Sequence, residues 1–193
     1  MNSGYISLAK LYKFVSDDPT AKALYGKSTE GLTLGRLARE ISNNIDEEHG
    51  FYLWGSYETN GLWRNIYLGK AGHGKTTCLR ARICEELKDE RVFLWYNGDN
   101  HDLLYSRGKE FYPKMWHKYS IEWKRSFRKA GTSHILWVTT PELDNKEVTS
   151  VEADLIERLN PIANTQRPAP TSALRANTAK VISHFKTLIH ENR

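Results

Sequence analysis

Residues 50–69 read GFYLWGSYETNGLWRNIYLG, and this stretch decides the fold. Its first eight residues alternate large apolar with small or polar side chains. Asn60-Gly61 comes next, and LWRNIYLG begins directly after. An Asn-Gly between two such runs is the strongest short-range hairpin signal. Tyr52 and Tyr67 are therefore expected on neighbouring antiparallel strands. Downstream, TTCLRARICEELKDE (76–90) sets Leu79, Ile83 and Leu87 at i, i+4 and i+8. That spacing makes a helical stripe facing the sheet, with Arg82 at its edge. HILWVTTPEL (134–143) is apolar and β-branched and reads as a buried strand ending at Pro141. TSVEADLIERL (149–159) follows as a helix stopped by Asn160-Pro161.

Upstream, the first 48 residues read as helical. In TLGRLAREISNNIDEE (33–48), Leu34, Leu37, Ile41 and Ile45 recur at spacings of three and four. This fits an amphipathic helix packed on the main domain, with a DNA-reading helix as the lesser reading. At the other end, Val181, Ile182, Phe185, Leu188 and Ile189 share one helical face, which either covers the core or meets a partner.

The whole chain has 193 residues, 28 Lys+Arg against 23 Asp+Glu, a net charge of +5 and a mean hydropathy of -0.62. With 39% hydrophobic and 11% aromatic residues it can build a compact core, which excludes a disordered chain. No run approaches a membrane span, and MNSGYISLAKLYKF lacks a signal peptide's layout, so an intracellular protein is expected. Cys78 and Cys84 are too few for a disulfide framework or a cysteine-type zinc site.

The charge is local. Between Arg107 and Lys129, eight cations (Arg107, Lys109, Lys114, Lys118, Lys124, Arg125, Arg128 and Lys129) oppose only Glu110 and Glu122. Phe111, Tyr112, Trp116, Tyr119, Trp123 and Phe127 are interleaved with them. Cations neutralise nucleic-acid phosphates and aromatics stack on bases or support the helix that carries the charges. The alternative is a helical insertion whose aromatics are core and whose charges are a solvated face.

Two motifs compete for the residues after the hairpin. GKAGHGKT (69–76) matches G-x-x-x-x-G-K-[ST], in which backbone N–H groups and a lysine cradle phosphates. A nucleoside triphosphatase is the rival function on this ground, and a non-catalytic DNA-binding protein is a third. A phosphate-binding loop, however, follows the first strand of a parallel βαβ unit, whereas this strand is preceded by an antiparallel partner.

The other reading uses more of the chain. GFYLWG (50–55) and IYLG (66–69) resemble the paired motifs of the GIY-YIG nuclease superfamily. The likeness continues through Lys70, Ala71, Arg82 in LRARI and VEADLIERLNPIAN (151–164), covering residues 49 to about 167. It implies an α/β fold, a small sandwich with a three-stranded antiparallel sheet flanked by helices. An N-terminal helical extension (1–48) would precede a nuclease core (49–172) carrying a basic aromatic insertion at about 99–131, and a C-terminal amphipathic helix (173–193) would follow. It also implies a DNA endonuclease, most like a stand-alone type II restriction enzyme, needing one Mg²⁺ or Mn²⁺ ion per active site. Double-stranded DNA is the expected substrate and a homodimer the expected assembly, with no membrane and no nucleotide cofactor.

The resemblance assigns catalysis to Tyr52, Tyr67, Lys70, Arg82, Glu152 and Asn164. Arg82 would bind a phosphate oxygen. Tyr52 would be the general base with Tyr67 as partner, Lys70 and Arg82 lowering an otherwise high phenol pKa. Glu152 would hold the metal, although Thr149-Ser150-Val151-Glu152 also fits a helix capping box. Asn164 would hold phosphate or site geometry, and Lys75 and Arg167 would add DNA contacts. Phe51 and Leu68 replace the usual motif residues with other large apolar ones. Glu86 stands where the restriction branch often has a histidine, so either proton transfer is handled elsewhere or Glu86 is an exposed helix residue.

Overall fold

Residues Ser3–Ser7 (β1), Gly50–Tyr57 (β2), Trp63–Ala71 (β3) and His134–Thr139 (β4) form one antiparallel sheet in the order β1-β4-β2-β3. The structure is a computed structural model and describes residues 1–17, 34–72, 78–88, 129–164 and 175–193. The described helices are Ala9–Asp17 (α1), Leu34–Ser42 (α2), Leu79–Leu87 (α3), Asn145–Leu159 (α4) and Ala176–Glu191 (α5).

Strand periodicity divides the core into two layers. Tyr52, Trp54, Ile135 and Trp137 point to one face of the sheet, where Leu11 and Phe14 of α1, Leu37 of α2 and Leu79, Ile83 and Leu87 of α3 cover them. Phe51, Leu53, Leu136 and Val138 point to the other, beneath Val151 and Leu155 of α4 and Val181 and Phe185 of α5. The C-terminal helix thus covers the core. Asp154, fully buried on α4, accepts a hydrogen bond from the Thr178 hydroxyl of α5 at 3.1 Å, joining the two helices.

Among the described residues the sheet has four strands where three were expected. The N-terminal part is helical at α1 and α2, but residues 3–7 are a strand paired with β4, with Gly4 opposite Trp137. Five residues that bury only Ile6 give too short an alternation to be read as a strand. Gly4 is needed there, because a Cβ would lie 2.7 Å from the Trp137 ring.

The hairpin forms as expected, with Gly61 at φ 77° and Asn60 Oδ1 accepting from the Leu62 N–H at 2.8 Å. Helix α4 starts at Asn145, before the expected Thr149. Asp144 is its N-cap and Glu147 completes the capping box. The second box-like run, 149–152, is therefore helix interior, and the capping role weighed for Glu152 is excluded.

One irregularity shapes the site. Trp54 pairs with Tyr67 and Gly55 with Asn65, so Ile66 is an extra residue in β3. Such a bulge reverses the facing of everything beyond it. Trp63 packs in the α4–α5 layer, whereas Tyr67 packs beside Tyr52 in the α3 layer.

Candidate active site

Tyr52 and Tyr67 lie on adjacent strands and the same face, ring centroids 6.4 Å apart. Directly across from Tyr52 is Gly69, and a Cβ there would fall on the tyrosine ring. Helix α3 brings Arg82 and Glu86 onto the same phenol because residues four apart share a helix face. The Tyr52 hydroxyl donates to Glu86 Oε1 at 2.5 Å and accepts from Arg82 Nε at 3.2 Å. Arg82 Nη2 closes the triangle on Glu86 Oε1 at 2.9 Å.

The fourth member comes from the end of the basic segment. Lys129 Nζ lies 2.9 Å from Glu86 Oε2 and 4.6 Å from the centre of a Trp54 ring. The Lys129–Glu86 approach is a buried ion pair. Lys129 was expected among the DNA-facing cations; its side chain is 13% exposed and turned inward. Glu86, one of the residues whose role was open, is neither exposed nor free: its side chain is 9% exposed between two cations and a phenol.

This environment sets the protonation states. Burial pushes the Glu86 carboxyl up, but Lys129, Arg82 and the Tyr52 hydrogen bond together hold it below the ordinary glutamate value. Burial pushes the Tyr52 phenol well above its ordinary value, Glu86 and Tyr67 add to this, and Arg82 offsets only part. The expectation that cations lower the Tyr52 pKa is thus reversed, because burial, reinforced by the Glu86 carboxylate, outweighs Arg82. Tyr52 has no exposed surface, whereas Tyr67 is half-buried and Arg82 is 40% exposed.

On the opposite face of β3, Lys70 meets helix α4. Its Nζ lies 2.8 Å from Glu152 Oε2 and 3.3 Å from Thr149 Oγ1. Glu152 is 25% exposed, so its carboxylate is reachable from solvent. Among the described residues no group of three His, Cys, Asp or Glu side chains converges on a common point. Glu152 remains an oxygen donor suited to a hard cation that keeps most of its waters.

Asn164 is a structural clasp. Its Oδ1 accepts from the Leu68 N–H at 2.8 Å and its Nδ2 donates to the Leu68 carbonyl at 2.9 Å. Ala163 N–H also bonds the Ile66 carbonyl at 2.8 Å. Residues 163–164 thereby bond the outer edge of β3 at Ile66 and Leu68, on either side of Tyr67. The amide is committed to the strand rather than turned toward a phosphate.

The chain has no match among family models, curated proteins or solved structures.

The structure thus brings Tyr52, Tyr67 and Arg82 together on one face of the hairpin, and Lys70 with Glu152 on the other. Lys75, Arg107, Lys109, Lys114, Lys118, Lys124, Arg125, Arg128 and Arg167 lie outside the described residues. What the sequence reading did not find is the part played by Glu86. Its signal is the spacing: four residues beyond Arg82 and flanked by the buried Ile83 and Leu87, it sits at the edge of the apolar stripe.

Proposed function

We propose that this protein is a metal-dependent DNA endonuclease, hydrolysing phosphodiester bonds in the manner of a sequence-specific restriction enzyme. The observation that carries the reading is the convergence of Tyr52 and Tyr67 of the hairpin with Arg82 of α3 on one face of the sheet, while Lys70, on the other face of β3, holds Glu152. Hydrolysis needs a proton acceptor for water, positive charge for the transition state and a means of stabilising the leaving oxygen. Arg82, partly exposed and always charged, is suited to a phosphate oxygen. Tyr67, half-buried beside it, is better placed than the enclosed Tyr52 to meet a water. Tyr52 orients Arg82, and Asn164 fixes the strand carrying Tyr67 and Lys70.

Glu152 would hold Mg²⁺ or Mn²⁺, with waters and the scissile phosphate completing the shell. When bound, the ion supplies Lewis acidity and offsets charge at the reacting phosphate. Duplex DNA is the substrate, the basic segment from Arg107 supplies phosphate contacts, and a two-fold dimer would place one site on each strand.

The test is incubation of plasmid with Mg²⁺ and the wild type, Glu152→Ala or Lys75→Ala. Cleavage by the wild type, lost in Glu152→Ala and retained in Lys75→Ala, is expected. Duplex binding without cleavage by the wild type makes this a non-catalytic DNA-binding protein. Undiminished cutting by Glu152→Ala removes the metal-ligand assignment. A melting temperature raised by ATP or GTP favours the nucleotide-hydrolase alternative.

A further inference from the structure

Glu86 is an expensive residue to keep where it is. A carboxylate with 9% of its side chain exposed loses most of its hydration, and two cations and a phenol are arranged to compensate it. Apolar replacements of such buried ionic groups are often neutral or stabilising, so stability alone is a weak reason for the arrangement. The geometry shows what the charge does. Arg82 has its Nε on Tyr52 and its Nη2 on Glu86, so two of its three nitrogens are fixed from within the protein. The same Glu86 oxygen holds the Tyr52 hydroxyl, so the phenol cannot rotate away from Arg82 Nε. The guanidinium is planar, and fixing two of its nitrogens fixes the direction in which its exposed side presents charge.

We infer that Glu86 is the positioning residue for Arg82, holding the guanidinium in one orientation together with Tyr52 and reducing the positive charge it offers to a phosphate. The assignment rests on the nuclease reading for its effect on turnover, but not for its effect on Arg82 itself. Lys129 belongs to the same device: with its ammonium on the second Glu86 oxygen, the carboxylate stays ionised without drawing its whole compensation from Arg82.

Charge and orientation act in opposite directions on a bound phosphodiester, and this makes the inference testable. Glu86→Gln keeps the shape of the side chain, removes one negative charge beside Arg82 and loosens its orientation. Duplex affinity, measured in Ca²⁺ at fixed ionic strength, should rise by about fivefold. The turnover number in Mg²⁺ should fall by about 10²-fold, the scale of a small misplacement of a reacting group. Glu86→Asp retains the charge but cannot span both partners, and Tyr52→Phe retains Glu86 but removes the hydroxyl. Both should lose turnover without gaining affinity. In ¹⁵N NMR the Arg82 Nε–H should exchange slowly in the wild type and rapidly in all three variants. Melting temperatures establish that each variant is folded; if Glu86→Gln is not, Glu86→Asp and Tyr52→Phe carry the test.

A folded Glu86→Gln protein that binds DNA more weakly, or an Arg82 Nε–H unchanged in the variants, overturns the inference. If the wild type fails to cut DNA, the nuclease reading falls, while the Arg82 Nε–H signal still decides the role of Glu86.

Discussion

Trp63 and Tyr67 stand four residues apart on one strand and face opposite sides of the sheet. In a regular strand they would share a face, and Tyr67 would lie in the α4–α5 layer, away from Tyr52 and Arg82. The extra residue at Ile66 turns the strand over between them. Past that point β3 needs a residue without a side chain opposite Tyr52, and Gly69 supplies it. Gly69→Ala should displace the Tyr52 ring and cost about 1–3 kcal/mol, the usual range for overpacking. Chemical denaturation together with the Tyr52 ¹³Cζ shift checks this; an unchanged shift in a folded variant would show that the ring does not depend on the glycine.

Glu86 and Tyr52 give the protein two separate pH limits. The Glu86 carboxyl is held below its ordinary value, so its contribution is present above ~4.3 and is lost as pH falls through the folded-state pKa. The Tyr52 phenol is held above its ordinary value, so its contribution is complete below ~10 and is lost as pH rises through the folded-state pKa. Tyr52→Phe should flatten the alkaline fall of the melting temperature in part, since Tyr12 is also pushed up by burial. It should leave untouched the loss of stability as pH falls below ~6.5, because that loss belongs to His134, whose pKa is lowered by burial so that the unfolded chain takes up the proton first.

The Lys70–Glu152 pair separates stability from activity. Both side chains keep solvent access, 21% and 25%, and such pairs contribute about 1 kcal/mol or less. Glu152→Gln should therefore barely move the denaturation midpoint while removing Mg²⁺-dependent cleavage. A loss of several kcal/mol would mean that Glu152 serves the fold first.

Asn164 should behave in the opposite way. Removing both of its hydrogen bonds to Leu68 with Asn164→Ala should cost about 1–3 kcal/mol. Asn164→Asp should cost no less, because a carboxylate would face the Leu68 carbonyl. An Asn164→Ala variant of unchanged stability that no longer binds DNA would falsify the clasp.

Lys129→Met should leave the salt dependence of duplex binding unchanged, whereas each true phosphate contact carries ~0.9 of log–log slope. Its cost should appear in stability, because among the described residues Glu86 would keep only Arg82 as a cation. Neutralising Lys124, Arg125 and Arg128 should flatten that slope, which titration of binding against salt measures.

Alternation in GFYLWGSY, the Asn60-Gly61 turn and the Leu79, Ile83, Leu87 stripe were enough to place the hairpin and the helix carrying Arg82. These are local signals with periods of two and 3.6 residues, and the core follows them. The motif resemblance, not periodicity, singled out Tyr52, Tyr67, Arg82, Lys70 and Glu152 as candidates. The sequence reading missed β1, whose five residues become a strand only by pairing with β4, more than a hundred residues away. It could not see the bulge at Ile66, because which residue is extra depends on the register of the partner strand. It also left Glu86 undecided and sent Lys129 toward DNA. Whether a charged side chain is solvated or buried depends on what other parts of the chain bring to it. Here Lys129 and Tyr52 reach Glu86 from 43 and 34 positions away.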